Sequence, residues 1–174
     1  MVQNKVKSYS AKLFLNEIIK YVTVSSPQVI IEYNAGYGYI TREILAKMHQ
    51  GSILYALEMN IEKCKTLCEI NDKRLRVRIL SAEEVNKIIY YEETVDCIIS
   101  SVPFKDYSKE AISKIIIDSC KLLKNDGSLI QVFDTKVYIS LYQKYFKYCT
   151  FKVFLNNPIL WVYECRKKIK VDIL

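Results

Sequence analysis

Histidine is almost missing: His49 is the only one in 174 residues. Histidine-based catalytic triads and multi-histidine metal centres are therefore effectively excluded, and many hydrolases with them. Paired CxxC spacing is missing too. The six cysteines, Cys64, Cys68, Cys97, Cys120, Cys149 and Cys165, stand scattered and mostly in apolar stretches, which is the pattern of reduced structural thiols in a core. Cys64 and Cys68 share a helix face but lack the second pair a zinc site needs. No apolar run approaches the roughly 20 residues of a membrane span, and the opening MVQNKVKSYS lacks the apolar centre of a secretory signal. The expectation is a soluble, cytoplasmic chain. There is no repeat, no low-complexity tract and no Pro/Gly/Ser linker, so residues 1–174 are expected to form a single domain, which 51% apolar content is enough to fill with one core.

What is present is a regular alternation of element types. LFLNEIIKYV repeats apolar residues at helical spacing, VIIEY is an apolar run of strand length, TREILAKM is helical, SILYALEM reads as a strand and IEKCKTLCEI as a helix. RVRILSA and VDCIISSV continue as strands, KEAISKIIIDSCKLLK as a helix closed by the turn NDG, and GSLIQVF, VYISLYQKYF, CTFKVFL and LWVYECR as strand, helix, strand, strand. Near-continuous apolar strands alternating with helices imply a mostly parallel sheet covered on both faces, and the last two strands, joined only by NNP, imply an antiparallel hairpin. The fold class is α/β, Rossmann-like and doubly wound.

Ligands of such sheets lie beyond the carboxyl ends of the strands, where strand order reverses. VIIEYNAGYGYIT, residues 29–41, is the turn expected there. Gly36 and Gly38 remove Cβ atoms that would hold a ligand off the backbone, and Asn34 stands where a third glycine is usual, asparagine being the side chain that best tolerates positive φ. Alone, this is also the pattern of a tight turn without a ligand. Glu58 ends the second strand about 20 positions past the glycines, where a carboxylate can accept both hydroxyls of a ribose. Tyr37 and Tyr39 crowd the glycines and GxxxxGK[ST] is absent, which disfavours a phosphate cradle and favours a nucleoside without phosphates.

EYNAGYGYIT resembles the first motif of class I S-adenosylmethionine-dependent methyltransferases, and the likeness extends over most of the chain. The resemblance implies a seven-stranded sheet of order 3-2-1-4-5-7-6 with strand 7 antiparallel, S-adenosylmethionine as cofactor, no metal, and residues 1–26 as a helical segment over the cofactor site. It implies cofactor contacts at Glu32, Asn34, Gly36, Gly38, Glu58, Met59, Ser81, Ala82 and Ser100, with Glu58 on the ribose and Met59 on the adenine. Ser81 replaces the aspartate usual in the third-strand motif, here LSAEEV, and LLKNDGSLI resembles the turn before the fifth strand. SSVPF at the end of the fourth strand resembles N-[LIV]-P-[YF] of amino-methylating members, which implies Ser101, Pro103 and Phe104 as the catalytic set, the serine replacing asparagine. An amine lone pair aligned behind an activated methyl needs no protein nucleophile; water, Ser101 or a carboxylate such as Asp106 would relay its proton.

Two subfamilies share that ending. Bacterial phospholipid N-methyltransferases resemble the chain at S-x-[LV]-P-[FL] and in LNNPILWVYECRK, and ribosomal RNA adenine N6-dimethyltransferases resemble it in the first motif and faintly in KLFLNE, with Lys12 in place of a glutamine. Formal net charge is +7 and RKKIK is the densest basic stretch, so an anionic partner is expected, a phospholipid surface contacted peripherally at the inner membrane face or RNA. The lipid reading leads. RNA, a protein or small-molecule amine, and a non-catalytic Rossmann-like binding domain remain open.

Overall fold

The computed structural model describes residues 12–89, 91–92, 94–133, 138–154 and 159–167. Seven strands, β1 (Val29–Tyr33), β2 (Ile53–Glu58), β3 (Leu75–Ile79), β4 (Val95–Ser100), β5 (Leu123–Phe133), β6 (Tyr148–Phe154) and β7 (Leu160–Arg166), form one sheet of order β3-β2-β1-β4-β5-β7-β6. The pairs among β1 to β5 are parallel, and β7 runs antiparallel to both β5 and β6. The expected topology is the one found. The NNP joint at residues 156–158, the first eleven residues and positions 168–170 of RKKIK lie outside the described residues.

Among the described residues five helices cover the sheet: α1 (12–18), α2 (Tyr39–Lys47), α3 (Ile61–Cys68), α4 (Lys109–Leu122) and α5 (Ile139–Tyr145). Because both faces are covered, the central strands must be apolar on both. Along β1 and β4, Ile31, Tyr33 and Ile98 join the core under α4 and α5, while Ile30, Cys97 and Ile99 join the one under α1 and α2. Asn60 and Ser108 cap α3 and α4, their side chains accepting from the N–H groups of Lys63 and Ala111. α1 is fastened at its end by Glu164 of β7, which accepts from Lys20 and Tyr21, and by Ile18 and Ile19, both buried. None of the described helices is long and apolar enough to cross a membrane.

The NDG turn is found inside β5. Val95 pairs with Leu123 and Cys97 with Ser128, so residues 124–127 stand opposite Asp96 alone. Such a bulge needs Gly127, whose Cβ would come within 3.0 Å of two backbone carbonyls. Asp96 stabilises the offset by accepting from the Val29 N–H at 2.7 Å and from the Lys124 ammonium at 2.6 Å. The carboxyl ends of β1, β2 and β4 are thereby aligned at the point where β1 has β2 on one side and β4 on the other, the reversal that opens a crevice.

Candidate functional site

After Tyr33 the chain enters the left-handed region three times in five residues, at Asn34 (φ 60°), Gly36 (φ 59°) and Gly38 (φ 81°). The carboxylate of Glu58, a residue 3% exposed, holds this turn to the end of β2: it accepts from the Gly36 N–H at 2.8 Å and, through its other oxygen, from the Asn60 N–H at 2.9 Å. The two glycines, alike in the sequence, do different things. A Cβ at Gly36 would meet nothing within 4 Å, so the turn faces open space there. A Cβ at Gly38 would lie 2.9 Å from Leu67 and 3.1 Å from Ile70, so Gly38 lets α3 approach the turn and leaves Gly36 to face a ligand.

Asn34 and Ser101 bind each other across the crevice. The Asn34 amide donates to the Ser101 carbonyl at 3.0 Å, and the Ser101 hydroxyl donates to the Asn34 carbonyl at 2.9 Å. Ser101 thus keeps only acceptor capacity for a substrate. Two cavities open beside this tie. One, of about 40 Å³, is lined by Asn34, Glu58, Met59, Ser81, Ala82 and Tyr107 among others. The second, of about 180 Å³, is lined by Ser101, Pro103, Phe104, Phe133, Tyr138 and neighbours. Val102 lines both. Phe104 itself is buried, 2% exposed, with Phe133 and Tyr138 at 5.4 and 5.3 Å and Tyr142 stacked at 6.3 Å. Ser81 forms a capping box with Glu84 for the turn Ala82–Lys87, which occupies the hydroxyl that stands in place of the usual aspartate. The buried Ser100 hydroxyl accepts from the Val102 N–H at 3.4 Å, and Met59 is exposed at the rim. Tyr107, Phe133 and Tyr138 are site-lining residues that sequence reasoning missed; the aromatic three places after Phe104 was the available signal for the first.

Glu32 is in the lining of neither cavity; its carboxyl accepts the Thr41 hydroxyl of α2 at 2.6 Å. Burial, and secondarily the negative charge of Glu58, pushes its carboxyl up to about 8. Its position serves the junction of β1 and α2. A larger cavity, of about 580 Å³, lies at the other end of the sheet between α1 and β7. Of its charged lining, Lys20 and Arg166 both pair with Glu164, and it is remote from the strand ends where the crevice lies. His49, whose Nδ1 accepts from the Gly51 N–H beyond α2, is also at that end.

Residues 6–157 match the family of the methyltransferase small domain. The chain belongs to that family. It is an S-adenosylmethionine-dependent methyltransferase with the Rossmann-like fold, and solved structures agree with the fold. A protein from Listeria monocytogenes described as an S-adenosylmethionine-dependent methyltransferase superposes with a TM-score of 0.69 at 10% identity, over 88% of this chain and 97% of that one. The 1,6-didemethyltoxoflavin-N1-methyltransferase of Burkholderia thailandensis, solved with S-adenosylhomocysteine, gives 0.69 at 16% identity over 91% and 76%. A protein from Clostridium thermocellum described as an rRNA methylase gives 0.69 at 14% over 91% and 96%. No curated protein sequence matches the chain. The residues present fit the cofactor: a ribose diol needs two acceptors, and Glu58 uses two of its roughly four acceptor positions on backbone N–H groups, leaving the rest beside the open space at Gly36.

Glu32 ionises near its ordinary 4.5 in the unfolded chain and near 8 in the folded one, so its contribution is fully present below the lower value and is lost as pH rises through the upper one. Glu32→Gln should therefore flatten the fall in melting temperature between about pH 5 and pH 8; parallel profiles for the two proteins would contradict it. Gly36→Ala should cost about 1 kcal/mol of stability but about tenfold or more in S-adenosylmethionine affinity, whereas Gly38→Ala should cost about 2–3 kcal/mol of stability through strain and overpacking. Urea melts and calorimetric titration separate the two, and equal stability losses would refute the division of labour.

Proposed function

We propose that the chain is an N-methyltransferase that acts, as one domain over residues 1–174, on the primary amine of a phospholipid head group. The observation that carries this reading is the aromatic-walled cavity of about 180 Å³ that adjoins the Glu58 cavity at Val102. Glu58 takes the ribose and Met59 the adenine, with Gly36, Asn34, Ser81, Ala82 and Ser100 around them. Bound S-adenosylmethionine supplies an electrophilic methyl group. The chain's part is to align the amine: the Ser101 oxygen accepts from the nitrogen, Pro103 shapes the mouth, and the rings of Phe104, Phe133 and Tyr138 hold a small alkylammonium by cation–π attraction, at a desolvation cost that falls as methyl groups accumulate. At about 180 Å³ the cavity is sized for a small alkylammonium. The proton must leave the ammonium before transfer, and with His49 at the opposite end and Glu58 engaged by backbone N–H groups, the exposed Asp106 in the turn after β4 is a carboxylate available on the correct edge.

Purified protein given radiolabelled S-adenosylmethionine should label phosphatidylethanolamine dispersed in detergent, yielding mono- and dimethylated lipid, and Tyr138→Ala should raise the KM for the lipid more than it weakens cofactor binding. Label in N6-methyladenine of unmethylated ribosomal RNA, with none in lipid, would overturn the assignment.

A further inference from the structure

The tyrosines that alternate with the glycines take no part in the core. Tyr37, Tyr39, Ile61 and Ile79 are between 53% and 79% exposed. Single exposed apolar residues need no explanation, but these four occupy the turns after β1 and β2 and the end of β3, which the sheet order places side by side at the carboxyl edge, with strands about 4.8 Å apart. The turns are in contact: the Lys63 ammonium of α3 lies 5.9 Å from the centre of the Tyr37 ring. Arg78, exposed on β3, adds a second cation to the same edge.

Resting on the lipid reading above, we propose that this edge is an interfacial docking surface for an anionic bilayer, with Tyr37, Tyr39, Ile61 and Ile79 entering the head-group region and Lys63 and Arg78 meeting lipid phosphates. Tyrosine is suited to that depth, apolar in body and polar at its tip. Two of the four residues are aliphatic and offer nothing for a base to stack on, which favours lipid over nucleic acid. The cations complement a negatively charged surface. The crevice containing Glu58 and Ser101 opens at this same carboxyl edge, between the patch on the β3-β2-β1 side and the aromatic cavity beyond β4, so a bilayer spanning the edge would present amine head groups to it and spare the enzyme from extracting a whole lipid.

The test is flotation with vesicles of phosphatidylethanolamine and phosphatidylglycerol, comparing the natural chain with the triple variant Tyr39→Ser, Ile61→Ser, Ile79→Ser. Binding is read without turnover, so its failure is distinct from failure of the substrate assignment. The variant should partition about tenfold less while keeping its melting temperature, its S-adenosylmethionine affinity and its transfer to detergent-dispersed lipid. Partition equal to that of the natural chain overturns the docking surface, even if lipid is methylated. So does a natural chain that ignores vesicles but retards RNA in a gel, with retardation lost in the variant, because the edge is then a nucleic-acid surface. Loss of flotation in the variant supports the surface whichever acceptor is methylated.

Discussion

Glu58 is the point on which the site depends. A carboxylate that is 3% exposed is tolerable only when hydrogen-bonded, and its partners are the N–H groups of Gly36 and Asn60. One side chain therefore fixes the turn after β1 and the start of α3, whose N-cap is Asn60. Its charge also bears on Glu32, whose neutral form is favoured first by burial and then by Glu58. The two acidic residues at neighbouring strand ends differ in use: Glu58 engages backbone donors at the crevice, and Glu32, packed between β1 and α2, has its carboxyl pushed up to about 8.

The acceptor half is joined to this centre by the reciprocal bonds of Asn34 and Ser101. Behind them, the Gln131 amide reaches the Val102 carbonyl at 3.4 Å while its oxygen accepts the Tyr142 hydroxyl at 3.1 Å. Tyr142 in turn stacks with Phe104. The loop after β4 is therefore supported from two sides, by the glycine turn and by α5, and substitutions in α5 would reach the cavity beside Ser101 through packing alone.

Much of this was legible because continuous apolar strands and helical periodicity are local signals. β1 and β7 have the bounds their apolar runs suggest, and Asn34 adopts the positive φ that its side chain tolerates. The rest depended on contacts made far along the chain. Gly38 and Gly36 cannot be told apart without knowing that Leu67 and Ile70 fold back onto one of them. The depth of Phe104 depends on rings from β5 and α5. NDG reads as a turn, and only the pairing of Val95 and Cys97 reveals it as a bulge within a strand. Ser81 differs from these cases: SAEE is a local capping-box pattern, readable from spacing alone as a structural use for that hydroxyl.

The Glu58 carboxylate organises the glycine turn, and in the proposed function it also binds the ribose of the cofactor. Isothermal calorimetry of S-adenosylhomocysteine with the natural chain and with Glu58→Ala tests it most directly, circular dichroism confirming that both are folded. Removal of a buried, charged acceptor should weaken binding by about 2–3 kcal/mol, roughly thirtyfold or more. Equal affinities in two folded proteins would contradict the account.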